Sequence, residues 1–158
     1  MDTKHVVSLE LARQMKEAGF PQVSEFYWIL CDEFDAKIVT KDGPIDELCE
    51  DSEFSYDPPS VKYDLLEDEK NGDLSDDIKI YSAYLASELG EILKKIKLKD
   101  DKNGIWKDCQ IYMAFRKCGG KEENMGQIIL QSMRIDLAAK MLLYLAKEGL
   151  INPKELKV

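Results

Sequence analysis

At 158 residues, with a net charge of −9 and with 44% hydrophobic and 34% charged residues, the chain has the size and apolar content of one domain that buries roughly 68–70% of its unfolded surface. An acidic balance with no basic stripe argues against direct nucleic-acid binding. The longest uncharged apolar runs, FYWILC (26–31) and MLLYLA (141–146), are far short of the roughly 20 residues that span a bilayer, so no membrane association is expected.

Lys4, Glu10, Arg13, Lys16 and Glu17 interrupt the first 25 residues, so no secretory signal is expected and a cytoplasmic location follows. Residues 8–18 read as an amphipathic helix with Ser8 as N-cap, Leu11, Ala12, Met15 and Ala18 on one stripe, and Gly19 and Pro21 as stop signals. Gly19 at the end of that helix would let Phe20 fold back on Met15. EFYWILC (25–31) and AKIVT (36–40) are rich in β-formers and predict a hairpin that closes before the turn signal Asp42-Gly43. In the first of these strands Phe26, Trp28 and Leu30 face one side and Tyr27, Ile29 and Cys31 the other, which leaves neither side polar. Such a strand is either interior and covered on both faces or an aromatic contact surface.

From Asp42 to Asp77 the character changes. Fourteen acidic residues stand against Lys62 and Lys70, a net of −12, while Pro58-Pro59 and Asn71-Gly72 break any periodicity. The rest of the chain therefore sums to +3, and the segment reads as an acidic loop or insertion in a single domain spanning 1–158.

IKIY (78–81) predicts a short strand, and Ser82 is expected to open a helix to about Lys97 with Leu85, Leu89, Ile92, Leu93 and Ile96 at helical spacing. After the turn signal DDKNG (100–104), Cys109, Ile111, Met113 and Phe115 alternate with Asp108, Gln110, Tyr112 and Arg116, which predicts a strand over 107–115. GQIILQ (126–131) would return antiparallel to it across Cys118-Gly119-Gly120. A helix over 132–148, apolar nearly all round at LAAKMLLYLA (137–146), is expected to be the most buried helix. The predicted class is α+β, an antiparallel sheet packed against about three helices.

Motifs that carry chemistry are missing. GGKEEN (119–124) lacks the hydroxyl and the earlier glycine of a phosphate cradle and reads as a turn. EDEKNGDLSDDI (67–78) places Glu67, Glu69, Asn71, Gly72, Asp73 and Ser75 where a calcium loop has its ligands and glycine, yet Ile78 replaces the bidentate Glu at the twelfth position. Cys31, Cys49, Cys109 and Cys118 contain no CxxC, and His5 is the single histidine, so neither zinc nor a disulfide framework is expected. No catalytic residue, metal or cofactor is predicted. Lys94, Lys95, Lys97 and Lys99 form the one basic cluster, which suits a helix C-terminus.

Three stretches, VSLELARQMKEAGFPQVSEFYW (7–28), SAYLASELGEIL (82–93) and IDLAAKMLLYLAKEGLI (135–151), resemble a group of small uncharacterised proteins encoded by bacteriophages and prophages. The likeness covers about a third of the chain and rests on packing and capping patterns. It implies a location in a bacterial host cell and transfers no activity. The acidic segment 42–77 and the predicted hairpin around Cys118 depart from the group.

On this basis the chain is expected to act by binding another protein rather than by catalysis, as an acidic mimic or inhibitor of a host nucleic-acid-binding or defence protein. Glu67, Asp68 and Glu69 in the acidic segment and the aromatics Tyr27, Trp28 and Trp106 are the candidate contact residues, with Tyr112 beside Trp106 on the same strand face. The alternative is a small-ligand module or enzyme with a pocket between the sheet and the C-terminal helix. Homo-oligomerisation through the apolar surplus of helix 132–148 is compatible with either.

Overall fold

Helix α1 (Leu9–Glu17) starts where the sequence places it, but Ser8 caps it differently from expectation. The Ser8 hydroxyl makes no capping bond; its backbone N–H donates to Asp136 Oδ1 at 3.0 Å, tying the start of this helix to the start of the last one. The helix ends as predicted. Gly19 adopts φ +93°, the Phe20 N–H donates to the Met15 carbonyl at 3.0 Å, and the Phe20 ring is buried. The computed structural model describes residues 3–32, 34–43, 60–96, 98, 105–119 and 135–156. The expectations for 42–59 beyond Gly43, for the return strand 126–131 and for Cys49 lie outside these residues, as do the side chains of Trp106 and Cys109.

Strands β1 (Phe26–Cys31) and β2 (Phe34–Thr40) form the predicted antiparallel hairpin, with Tyr27 opposite Val39 and Trp28 opposite Ile38. Strand β3 (Ile78–Ser82) pairs antiparallel with the other side of β1, giving the order β2-β1-β3. The register puts Ala83 N–H on the Phe26 carbonyl at 2.8 Å, so the main-chain groups of Ile80 and Ser82 point away from β1. Both positions are engaged there: the Ile80 carbonyl accepts from Lys16 Nζ at 2.8 Å and the Ser82 N–H donates to Gln22 Oε1 at 2.9 Å.

Central strand β1 is covered on both faces, with the alternation read from the sequence. On one face Trp28 joins the main core, against which Phe26 and Leu30 pack half-buried. On the other, Tyr27 and Ile29 join Ile80, Val61 and Leu65 in a second cluster. This second layer comes from the acidic segment. Ser60 caps a five-residue π-type turn (Val61–Leu65) that runs on into α2 (Leu66–Asn71), ended by Gly72 at φ +78°. The part of the segment from Ser60 to Asn71 is therefore a helical cover for the sheet, not a loop.

Helices α3 (Ala86–Lys95), α4 (Ile105–Lys117) and α5 (Ile135–Lys147) join α1 in the main layer. Helix α5 buries Ala138, Ala139, Met141, Leu142 and Leu145, each of the larger side chains contributing about 1.5–3 kcal/mol. It is the core helix that its composition predicts. Two expectations are corrected. Ser82 ends β3 instead of opening α3, which begins four residues later at Ala86. Its cap is Glu88, which reaches back to accept the Leu85 N–H at 2.7 Å.

The second correction concerns 107–115, which is not a strand but the body of α4. Ile111 and Phe115 share a face under either period, because four residues are two strand repeats and one helical turn. Ala114 and Met113 separate the readings. Ala114 is fully buried and Met113 is 47% exposed, the reverse of what strand alternation requires.

Next to α3, Tyr84 is fully buried and its hydroxyl donates to the Pro21 carbonyl. Burial raises the Tyr84 pKa well above its ordinary value, and burial also raises that of Tyr27. A group whose pKa is raised on folding contributes stability below its unfolded pKa and loses it as pH climbs, so this contribution is complete below about pH 10 and falls above it. Tyr84→Phe is expected to cost about 1–2 kcal/mol at neutral pH, through the Pro21 carbonyl left without its donor, and to flatten the loss of stability above about pH 10. Urea midpoints measured against pH for both chains test this; parallel curves at high pH would show that Tyr84 is not the titrating group.

Candidate functional site

The six predicted contact residues do not form one patch. Tyr27 and Trp28 are 3% and 7% exposed. Trp28 donates its indole N–H to the Val7 carbonyl at 2.9 Å, and the Tyr27 hydroxyl donates to the Gln22 carbonyl at 3.2 Å and accepts the Ser24 N–H at 3.1 Å. Both are core residues with their polar tips satisfied, so the aromatic contact surface is corrected to an interior strand. Tyr112 packs half-buried against the main core. Trp106 sits on α4, and its side chain lies outside the described ones.

Glu67, Asp68 and Glu69 all fall in α2, well past the Ser60 cap of the helical stretch. They differ in engagement. Glu69 is held at ion-pair distance by Lys16, whose ammonium also bonds the Ile80 carbonyl and lies 5.4 Å from the Tyr81 ring centre. Glu69 thereby fastens α2 to α1 and β3. Glu67 is exposed, and so are Asp64, Asp73, Asp76 and Asp77. Residues 60–77 carry seven carboxylates against Lys62 and Lys70, and Tyr63 stands 66% exposed among them.

The local sequence explains why these carboxylates are placed and not adrift. Ser60 Oγ accepts the Tyr63 N–H at 3.1 Å while Asp64 Oδ2 accepts the Ser60 N–H at 2.7 Å, a reciprocal cap. Val61 and Leu65, one helical turn apart, are 0% and 4% exposed and pin the turn to the sheet. The acidic surface continues at the end of the sheet, where Asp32, Asp35, Asp76 and Asp77 line a cleft of about 380 Å³ together with Lys79. Among the described residues no group of His, Cys, Asp and Glu side chains has the arrangement of a metal site, and helical 67–71 cannot wrap an ion as a calcium loop does.

A second concavity, of about 850 Å³, lies on the other side of the sheet. It is bounded by the first turn of the chain and the starts of α1 and α5, with Trp28 contributed by β1 and Cys118 by the end of α4. Burial pushes the Cys118 thiol up, with Lys140 pulling it the other way, so at neutral pH it is a thiol and not a nucleophilic thiolate. Its position between sheet and C-terminal helix is the one that the alternative reading of the sequence expects. Nothing in the sequence marks it, because its lining comes from four segments far apart in the chain.

No protein-family model, curated protein or solved structure matches this chain. Among the described residues no helix is long and apolar enough to cross a membrane.

Proposed function

We propose that the protein acts by binding a partner that presents a basic surface, with the carboxylates of residues 60–77 as the docking face. The observation that carries this reading is the burial of Val61 and Leu65 against β1 and β3, which mounts the carboxylates on a fixed frame. Carboxylates on a mobile chain spread apart and gain little from a partner; carboxylates held side by side repel one another until cations approach, and they steer that approach. The resemblance of 7–28, 82–93 and 135–151 to phage-encoded proteins supports placing the basic surface on a host nucleic-acid-binding or defence protein.

The test uses a labelled Arg- and Lys-rich peptide and two charge-matched variants. One carries Glu67→Gln, Asp73→Asn and Asp76→Asn on the proposed face; the other carries Glu17→Gln, Glu148→Gln and Glu155→Gln elsewhere, all six positions being exposed. Glu69 is left in place because it pairs with Lys16. At low salt the first variant is expected to associate roughly fivefold to tenfold more slowly than the unaltered chain, with the difference closing at high salt, and the second to change little. Equal losses in both variants would mean that net charge alone attracts the peptide, and the docking face would be abandoned.

A further inference from the structure

The concavity beside Trp28 differs in chemistry from the rest of this acidic molecule and shares no residue with the docking face. Its walls are mixed: Val6, Leu9, Trp28, Ile135 and Leu137 give it an apolar part, and Ser8, Lys4, Lys140 and Asp136 a polar and charged part. In a chain of net charge −9, this hollow is lined by the Lys140 ammonium as well as by one carboxylate. That carboxylate is already engaged, since Asp136 Oδ1 accepts the Ser8 N–H at 3.0 Å. The Ser8 hydroxyl, which also lines the hollow, makes no capping bond to α1. Lys140 enters none of the ion pairs among the described residues, and its charge is felt at the Cys118 thiol across the site.

We propose that this concavity is a binding site for a small amphipathic monocarboxylate, its carboxylate at the Lys140 ammonium and the Ser8 hydroxyl and its hydrocarbon body on Trp28, Leu9 and Ile135. The volume, about 850 Å³, lies within the range of small-molecule sites, roughly 300–1,000 Å³. It is far larger than a bare inorganic anion needs, and such an ion would leave Leu9, Trp28 and Ile135 uncovered. A charged head on an apolar body answers both features. A neutral hydrocarbon would make no use of the Lys140 ammonium, and one carboxylate matches that one ammonium.

Decanoate is the probe, with decanol as its uncharged analogue. In a chain carrying Trp106→Phe, Trp28 is the single tryptophan, so its emission reports on the hollow; calorimetry on the unaltered chain gives the same isotherm without relying on that variant. Decanoate is expected to bind saturably at one site with a change in Trp28 emission. Lys140→Gln, at an exposed position, is expected to weaken decanoate about tenfold, as the loss of one charge-assisted contact does, and to leave decanol unchanged. The proposal is overturned if decanoate gives no saturable heat, if Lys140→Gln leaves its affinity unaltered, or if decanol binds as tightly as decanoate.

Discussion

Trp28→Ala is expected to destabilise the protein by about 3–5 kcal/mol, the range for removing a large aromatic from a packed core. Two losses combine. The indole is a large, 7% exposed member of the main core, and its removal leaves a space there. The Val7 carbonyl, whose residue is fully buried, also loses the indole N–H that satisfies it, which adds a desolvation cost. Trp28→Phe separates the two, since it keeps most of the ring and removes only the donor, and about 1–3 kcal/mol should remain. Urea unfolding at constant slope measures both. A surface contact residue would change stability by no more than about 0.5 kcal/mol, so a result in that range would return Trp28 to the role of an exposed recognition group.

Glu88→Ala should cost about 2–4 kcal/mol, although the residue is only half-buried and water can replace part of what it does. Its carboxylate gathers three donors. Oε2 accepts the Leu85 N–H at 2.7 Å and the Ser24 hydroxyl at 2.8 Å, and Oε1 accepts the Glu25 N–H at 3.0 Å. One side chain thus caps α3 and fixes the entry to β1, sixty-odd residues earlier in the chain. Alanine leaves the Leu85 and Glu25 amides without a protein partner and the Ser24 hydroxyl with the Ala83 carbonyl at 3.3 Å, whereas Glu88→Gln keeps one acceptor oxygen and should lose about half as much. Alanine and glutamine equal in effect would mean that the charge, and not the geometry of acceptance, holds the joint.

What the sequence reveals follows from where its signals are local. The stop of α1, the hairpin 26–40 and the core character of α5 rest on neighbouring residues, as in Gly19-Phe20 and LAAKMLLYLA, and the structure agrees with each; Ser8 stands at the start of α1 as expected but makes no side-chain cap. Two features misled where a local pattern fits two periods. In α4 the pair Ile111 and Phe115 satisfies both repeats, and small Ala114, the residue that decides, carries little apolar weight. Ser82 has the right chemistry for a cap but is drawn into β3 by pairing with Tyr27. The helical turn at 60–71 escapes the sequence reading, which takes the segment as an acidic loop: Ser60 with Asp64, and Val61 with Leu65, are a cap and an apolar pair at helical spacing, obscured by the surrounding acidity. The concentration of carboxylates was therefore readable in composition, and their anchoring through Val61 and Leu65 was not. The hollow beside Trp28 was not, since Lys140, Ser8 and Trp28 meet only through the tertiary fold.

The engagement of Ile80 and Ser82 by Lys16 and Gln22 bears on how the molecule meets copies of itself. A strand at the margin of a sheet is a template on which another chain can grow, because its outward amides and carbonyls are open to pairing. Here the outward carbonyl of Ile80 and the outward amide of Ser82 are already bonded to side chains of the same molecule. A stranger's backbone would have to displace an ammonium that is itself tethered to Glu69. Polymerisation through this margin is closed by α1 and the turn that follows it, so the same lysine that joins three elements also keeps the sheet three strands wide on that side.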